Sequence, residues 1–350
     1  MKRFANLMGL LTRPKPVVGA TPCDVAWSEN KWRLLHYRPR PEGLAHQTPL
    51  LLIPSLINRH YVLDLMPGKS FTEAMVAWGH DVWTIDWGTP GPEDRFLSFD
   101  DICDRTIGRA LKVAAGTHGK AHLLGYCMGG TLAAIHAAVR PERVASLIGL
   151  AAPVKFHDEG LLSRWTNSKT FDIDALIDAC GNAPWQVLQS SFQMLRPTLP
   201  LAKAVGVLDK AWNDEFLDGF LALETWGNDN VSLPGEFYRR YVKDLYRADG
   251  LVNGTFSLSG KPVRLGDIKC PTLAVTFEHD NIVLPDSAAL LLELVGSTQK
   301  QRIHLPGGHV GAVVSKAASR GLWPQLSQWL AAQENGDRRA FRAVAAVRRK

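Results

Sequence analysis

The sequence predicts an α/β fold in which a doubly wound, mostly parallel sheet carries an inserted, mainly helical cap. Continuous apolar runs between proline or glycine residues indicate strands buried on both faces, as the strands of parallel sheets are. Such runs occupy residues 49–54, 144–151 and 271–277. Helical patterns separate the runs, and this alternation of strand and helix is typical of a doubly wound sheet.

The alternation is interrupted once along the chain. It stops after residue 152 and resumes near residue 264, and the intervening stretch is richer in Trp, Phe, Tyr, Asn and Asp. We therefore expect a core formed by residues 41–152 and 264–334, with a helical cap over residues 153–263. Residues 1–40 are expected to form an N-terminal arm and edge strands, and residues 335–350 a basic tail.

The elements before the cap follow from local patterns. Proline and glycine punctuate residues 1–20, which predicts an extended arm, and alternation from Trp27 to Tyr37 predicts one or two edge strands. Ser70 caps a helix that continues to Trp78, with Glu73 as its capping-box partner and Gly79 as its end. Further strands are predicted over 81–87, 118–124 and 144–151, and helices over 100–115 and 128–139.

The elements from residue 153 onward are less regular. Helical stretches are predicted over 173–179 and 235–246 within the cap. Several of the 11 tryptophans lie between Trp165 and Trp226, which indicates an apolar cavity or a partner surface there. After the cap we expect a strand over 272–277, a helix over 287–294, a strand over 302–305 and a closing helix over 317–332.

Composition excludes several classes of protein. The 350 residues suffice for a large hydrophobic core that needs no stabilising disulfides or metal ions. The five cysteines are odd in number and scattered, which predicts no disulfide framework and no metal site, in a reducing cytosol. We expect no signal peptide, and no apolar run reaches the roughly 20 residues of a transmembrane segment. The net charge of +6 includes a local basic excess in residues 335–350, interpreted as a solvated tail rather than a nucleic-acid contact.

A glycine-flanked cysteine joins a predicted strand to a predicted helix. The pentapeptide Gly125-Tyr126-Cys127-Met128-Gly129 has the pattern of a nucleophile elbow, in which the nucleophile occupies a strained strand-to-helix turn. The glycines are expected because a side chain at either position would collide with a neighbouring element. The helix N-terminus favours the reactive thiolate of Cys127. A buried, unreactive cysteine fits the pentapeptide equally well when it is taken alone.

An acid and a histidine follow Cys127 in the order of the α/β-hydrolase fold. Asp280 comes just after the strand 272–277, and His309 follows the last predicted strand. Because both lie at carboxyl ends of strands, folding can bring them to Cys127 as a catalytic triad. Asp280 also fits a turn or helix-capping residue, and His309 also fits an ordinary loop histidine. The other nearby histidines, which we give little weight as bases, are His122, His279 and His304.

The same geometry predicts an oxyanion hole. Its donors would be the backbone amides of Met128 and of Leu56, the latter in the loop 55–57 that follows the strand 49–54. A thiolate exchanges readily with thioesters, because the attacking and leaving thiols have similar basicity. A coenzyme A (CoA) thioester is therefore a natural substrate for Cys127, whereas serine is the commoner nucleophile for plain hydrolysis.

With these residues in place, the chain resembles the polyhydroxyalkanoate (PHA) synthases, and in particular their short, two-component class. The resemblance covers residues 18–332, and its motifs are specific only when taken together. They are Val18-Gly19-Ala20-Thr21-Pro22, Tyr37-Arg38-Pro39, the run from Ile57 to Leu65, Gly79, Ile85-Asp86-Trp87-Gly88, the box around Cys127, Lys243-Asp244-Leu245-Tyr246, Asn253-Gly254 and the run from Gly307 to Gly311.

The resemblance implies a mechanism and its participants. Cys127 would carry the growing polyester as a thioester, His309 would activate the thiol, and Asp280 would orient His309 or activate the 3-hydroxyl of the incoming unit. The substrate would be an (R)-3-hydroxyacyl-CoA, and no cofactor is needed. The resemblance further implies a separate accessory subunit, a homodimer formed through the cap, and a cytoplasmic enzyme associated with polyester granules. The cap would have to move to admit substrate.

Two departures from the family and two alternative functions remain at this stage. Members usually have histidine immediately after the acid, where this chain has Asn281. The chain also has an additional residue, Leu284, between Val283 and Pro285. The long N-terminal domain of one-component synthases has no counterpart in this sequence. A cysteine-dependent thioesterase or esterase would use the same triad, with water as the acyl acceptor. A non-catalytic scaffold of the granule surface is a third interpretation, which an intact triad disfavours.

Overall fold

The computed structural model describes residues 2–10 and 12–334, so the predicted basic tail at 335–350 lies outside the described residues. Its main sheet has eight strands in the order β1-β2-β4-β3-β5-β6-β9-β10. The β1–β2 and β2–β4 pairs are antiparallel and the other five pairs are parallel. This arrangement confirms the predicted α/β fold class.

The strands are β1 Cys23–Glu29, β2 Trp32–Tyr37, β3 Leu50–Ile53, β4 Val82–Asp86, β5 Ala121–Tyr126, β6 Val144–Leu150, β7 Ser257–Leu258, β8 Lys261–Pro262, β9 Thr272–Phe277 and β10 Lys300–Leu305. The α-helices are α1 Lys2–Met8, α2 Phe71–Ala77, α3 Ile107–Ala115, α4 Met128–Val139, α5 Leu161–Thr166, α6 Ile173–Cys180, α7 Trp185–Met194, α8 Leu199–Lys210, α9 Asp214–Asn228, α10 Gly235–Arg240, α11 Gly250–Asn253, α12 Pro285–Ala289, α13 Leu291–Leu294, α14 Gly311–Val314, α15 Lys316–Arg320 and α16 Leu322–Glu334. Two π-helical segments, Asp101–Thr106 and Tyr241–Arg247, continue into α3 and extend α10.

The central strands bury both of their faces, as their continuous apolar sequences predict. Along β3, Leu51 packs into one hydrophobic cluster with residues of α3 and α4, whereas Leu50 and Leu52 pack into a second cluster with residues of α2 and α16. Successive side chains of a strand point to opposite faces, so one apolar run supplies both layers. Each fully buried leucine contributes roughly 1.5–3 kcal/mol of burial free energy.

The predicted cap of α2 is partly confirmed. The Ser70 hydroxyl accepts a hydrogen bond from the Glu73 amide at 2.8 Å, as expected of a helix-capping serine. The Glu73 carboxylate does not return to Ser70; it accepts from the Gly68 amide at 2.7 Å. Gly79 follows the helix with φ +86, a left-handed conformation that glycine adopts without strain.

The expectation of an extended arm over residues 1–20 is wrong for Lys2–Met8, which form α1. A seven-residue helix is marginal on its own, so its stability comes from tertiary contacts. Asn6 Nδ2 donates to the Ala211 carbonyl at 2.7 Å, and Lys2 Nζ lies 2.9 Å from the Asp214 carboxylate. The helix is thus fastened to residues more than 200 positions away, which no local pattern reveals.

The predicted helices over 287–294 and 317–332 are also wrong as single elements. The first divides into α12 and α13 around Leu290, and the second divides into α15 and α16 at Gly321. Pro324 explains the second break, because proline is tolerated in the first turn of a helix but not in its interior. Ending α15 before Gly321 places Pro324 in the first turn of α16.

Seven helices, α5–α11, and the β7–β8 hairpin lie between β6 and β9 in the chain. Of the tryptophans in this stretch, Trp226 is buried, whereas Trp185 and Trp212 expose 38% and 57% of their surface. The buried Trp226 fits the predicted apolar interior, whereas the exposed Trp185 and Trp212 fit the predicted partner surface. Among the described helices, none combines the length and apolarity that crossing a membrane would require.

Candidate active site

Cys127 occupies a sharp turn between β5 and α4, as the elbow pattern predicts. Its φ of 54° and ψ of −128° are rare for a residue with a side chain, and its amide donates to the Leu150 carbonyl at 2.9 Å. Such strain persists only where the surrounding structure enforces it, and it is concentrated at functional sites. The thiol is half-buried and stands at the N-terminus of the 12-residue helix α4.

The glycines around Cys127 are required by close backbone contacts. A Cβ atom at Gly125 would lie 2.3 Å from the Gly130 Cα atom, and one at Gly129 would lie 2.0 Å from the Ile53 carbonyl oxygen. The predicted collisions are therefore confirmed. Gly130, which lies outside the pentapeptide, is required for the same reason, because a Cβ atom there would lie 2.3 Å from the Ala152 side chain. The Gly129 contact brings the elbow against β3, the strand that precedes the Leu56 loop.

Asp280 lies in the turn after β9 and is 3% exposed. Its Oδ1 atom accepts hydrogen bonds from the amides of Ile282 and Val283, both at 2.9 Å, and its Oδ2 atom lies 2.7 Å from His309 Nδ1. One oxygen of Asp280 thus shapes the turn, as the turn interpretation predicts, while the other bonds the histidine; the catalytic role of Asp280 stays a prediction. Fixing one oxygen in the turn gives the other a defined direction.

His309 lies in the loop after β10, and its side chain is buried against Asp280. Because the Asp280 carboxylate accepts at Nδ1, that nitrogen carries a hydrogen and Nε2 is left for the Cys127 thiol. Burial lowers the pKa of His309, but the Cys127 thiolate and the bonded Asp280 outweigh it and raise that pKa to about 10. The site thus favours the protonated form of His309.

The three competing histidines are engaged elsewhere or lie at the surface. His122 is buried, with Nδ1 2.7 Å from the Ser146 hydroxyl, and His304 Nδ1 lies 2.9 Å from the Thr276 hydroxyl. His279, next to the acid, is exposed, as is Asn281 on the other side of Asp280. The structure therefore pairs Asp280 with His309 rather than with any of these.

The residues expected to form the oxyanion hole are buried at the elbow and at the end of β3. Met128 is 1% exposed and Leu56 is 4% exposed. Within residues 2–10 and 12–334, the amides of both donate to no backbone carbonyl, whereas the neighbouring Ile57 amide donates to the Ser55 hydroxyl at 3.3 Å. The Leu56 amide is therefore more available than that of Ile57, and its role stays a prediction.

An aromatic cluster between β6 and β9 was missed by the sequence analysis. Phe156, Tyr241 and Tyr246 stack edge-on with ring centroids 5.0–5.6 Å apart. Burial chiefly raises the pKa of Tyr246, and the charge of Cys127 raises it further. The two tyrosines lie five residues apart in a π-helical segment, which puts both on one side. That irregular spacing concealed them from a search for α-helical periodicity.

Comparison with known proteins agrees with this geometry. Residues 48–314 match the family described as alpha/beta hydrolase fold, and residues 16–75 match the N-terminus of poly-beta-hydroxybutyrate polymerase. A poly(3-hydroxyalkanoate) polymerase subunit from Allochromatium vinosum is 36% identical over 318 residues, which cover 89% of this chain and 89% of the relative. The chain belongs to the poly(3-hydroxyalkanoate) polymerase family. Both the recognised family and the predicted enzyme class, an acyltransferase, are confirmed.

Other members of the polymerase family differ in length. The subunit from Haloferax mediterranei is 35% identical over 318 residues, and the chain spans 64% of its length. Among solved structures, a soluble variant of the monoglyceride lipase of Saccharomyces cerevisiae superposes with a TM-score of 0.57, covering 92% of this chain and 99% of the lipase. At 12% identity this likeness concerns the fold alone.

Proposed function

We propose that the chain polymerises (R)-3-hydroxyacyl-CoA into polyester and releases CoA, through a thioester on Cys127. The observation that carries this proposal is the hydrogen bond of 2.7 Å between Asp280 and His309, with His309 beside a cysteine on a strained elbow. A nucleophile, a base and a group that orients the base are the parts that acyl transfer requires. Family membership supports the substrate class and the polymer product.

The first half-reaction loads the enzyme. His309 Nε2 accepts the Cys127 proton, and the thiolate attacks the acyl carbonyl of the CoA thioester. The amides of Met128 and Leu56 bind the oxygen of the tetrahedral intermediate. The C–S bond to CoA then breaks, and the imidazolium returns its proton to the departing thiolate of CoA. The equilibrium is close to balanced because one thioester replaces another.

The second half-reaction lengthens the polyester. The 3-hydroxyl of one unit attacks the thioester carbonyl of another, so that an ester C–O bond forms as the Cys127 C–S bond breaks. His309 accepts the hydroxyl proton and passes it to the cysteine sulfur. Asp280 orients the imidazole in this scheme, because Oδ1 is engaged by two backbone amides and Oδ2 by His309.

The helices of residues 153–263 act as the cap in this proposal. Tyr241 and Tyr246 belong to them, and the charge of Cys127 contributes to the raised pKa of both hydroxyls, which supports a position of these helices over the nucleophile. An apolar cover excludes water from the thioester and so favours an alcohol as the acyl acceptor. We further propose that the enzyme is cytoplasmic, works at a polyester granule, forms homodimers through the cap and is completed by a separate accessory subunit. The exposed Trp212 is a candidate contact for such partners.

The test is CoA release from (R)-3-hydroxybutyryl-CoA, with the acyl product analysed by size. High-mass polyester should form with the wild-type chain, disappear in Cys127→Ala and persist in Cys180→Ala, which removes an exposed cysteine. Free 3-hydroxybutyrate as the sole product would instead favour the thioesterase. Absence of turnover, both alone and with candidate accessory subunits, would favour the non-catalytic scaffold.

A further inference from the structure

The loop that carries Leu56 is fastened to the end of α9 by a network of polar contacts. We name residues 55–61 the oxyanion loop and residues 226–231 the cap segment. The Asn58 side chain donates to Asn230 Oδ1 at 2.5 Å, and the Val231 amide donates to the Ile57 carbonyl at 3.3 Å. The buried Trp226 donates from Nε1 to the Arg59 carbonyl at 2.9 Å.

Asp229 is the residue on which the side chains of the oxyanion loop converge. Arg59 Nε lies 3.0 Å from Asp229 Oδ1, and the Tyr61 hydroxyl donates to Asp229 Oδ2 at 2.7 Å. Both carboxylate oxygens are therefore used, each by a different residue of the loop. Tyr61 is buried, and burial together with the Asp229 contact raises its pKa, so that the hydroxyl remains a donor.

Arg59 also reaches the core sheet. Its Nη1 atom donates to the Thr89 hydroxyl at 2.9 Å and to the Gly88 carbonyl at 3.3 Å, just beyond the end of β4. The planar guanidinium offers several donors in fixed directions, so one side chain can bridge two elements. Arg59 thus links the core, the oxyanion loop and the cap segment, three residues from the amide of Leu56.

We propose that Asp229 is a positioning residue that aligns the Leu56 amide by holding Arg59 and Tyr61, so that the oxyanion hole is complete only while the cap segment is in place. This inference rests on the proposed function, because it assigns a purpose to the Leu56 amide. The side chains of Arg59 and Asp229 are 25% and 40% exposed. Ion pairs open to solvent are weak, which suits a contact that must open and re-form when substrate enters.

The experiment compares Asp229→Asn with a matched control, Asp218→Asn. Asp218 lies within α9, the helix that Asp229 follows directly, and its side chain is also 40% exposed. It is paired at 2.7 Å with Arg13, a residue outside the oxyanion loop. Two reactions of Cys127 are measured in the full chain. Acylation by (R)-3-hydroxybutyryl-CoA needs an oxyanion hole, whereas alkylation by iodoacetamide needs only the thiolate.

We expect Asp229→Asn to slow acylation about tenfold, through kcat more than KM, because a misplaced donor weakens binding of the transition state. Alkylation should change less than about twofold, and Asp218→Asn should leave both rates unchanged. Equal losses of acylation and alkylation in Asp229→Asn would show a general loss of structure and overturn the proposal. Unchanged acylation in Asp229→Asn would overturn it as well.

A second measurement does not depend on turnover. Hydrogen exchange of the full chain should become faster in both the oxyanion loop and the cap segment of Asp229→Asn, and in neither with Asp218→Asn. Faster exchange confined to the cap segment would reject the coupling, whatever the activity. If the wild-type chain has no transferase activity but both segments respond together, the proposed function fails while the structural coupling stands.

Discussion

Asp280 Oδ2 lies 2.7 Å from His309 Nδ1, and both side chains are buried, with 1% and 7% of their surfaces exposed. A buried carboxylate and imidazole stabilise each other only while the histidine can carry its proton. The pKa of His309, raised to about 10 in the folded chain from an ordinary 6.5, expresses the combined effect of this contact and of Cys127. Catalysis and folding stability should therefore respond together when the pair is altered.

Asp280→Asn should lower the pKa of His309 and reduce acyl transfer at least about 100-fold, because the base loses its orientation and the imidazolium loses its counter-charge. A pKa raised on folding gives stability that is complete below about pH 6.5 and is lost as pH rises through about 10. The free energy of unfolding of wild type should thus exceed that of the variant at pH 6, and the difference should become smaller above pH 10, where His309 has lost its proton. Urea denaturation at both pH values checks this, and a constant difference would contradict it.

Tyr126→Phe should make the loop that carries His309 less firmly held, while Cys127, Asp280 and His309 themselves are unchanged. The Tyr126 hydroxyl, which is fully buried, donates to the His309 carbonyl at 3.3 Å, and the two rings lie 5.2 Å apart. Loss of one buried hydrogen bond costs about 0.5–1.5 kcal/mol. We expect a decrease of that size in the free energy of unfolding and a decrease of about two- to tenfold in kcat. Full activity together with full stability would show that the bond contributes nothing.

The elbow and the pairing of Asp280 with His309 could be predicted from sequence because each depends on local order. Gly125 and Gly129 flank Cys127 in one pentapeptide, and Asp280 and His309 each follow a strand whose apolar run is plain. In a parallel sheet the carboxyl ends of the strands share one edge, so topology alone brings these residues together. The break at Gly321 was predictable in principle, since Pro324 excludes a continuous helix.

The contacts of the helices in residues 153–263 could not be predicted in this way. Arg59 and Asp229 are 170 residues apart, and neither belongs to a pattern whose period indicates its partner. The helix α1 depends in the same manner on Ala211 and Asp214. Such pairs are fixed by how the helices of residues 153–263 pack on the sheet, which depends on many side chains at once.

Gly129→Ala should destabilise the chain by about 2–4 kcal/mol, because the added Cβ atom would meet the Ile53 carbonyl oxygen at 2.0 Å and the backbone of the elbow would have to shift. Gly206→Ala is the matched control. Gly206 lies within α8, and a Cβ atom there meets nothing within 4 Å. Alanine in a helix stabilises by roughly 0.5–1 kcal/mol relative to glycine, so the two variants should move in opposite directions in urea denaturation.

His122→Asn should make the chain more resistant to acid. His122 is buried with its Nε2 atom unpartnered among the described residues, and burial, opposed by Glu334 and reinforced by His46, lowers its pKa to about 4 from 6.5. Between pH 6.5 and pH 4 the His122 imidazole is therefore protonated in the unfolded chain but neutral in the folded chain. The free energy of unfolding is highest above pH 6.5 and falls as the pH is lowered toward 4. Between pH 7 and pH 5 the wild type should lose about 2 kcal/mol more than the variant, in which asparagine can still bond Ser146. Urea denaturation at the two pH values measures the difference, and equal losses would show that His122 takes up its proton equally well in the folded chain.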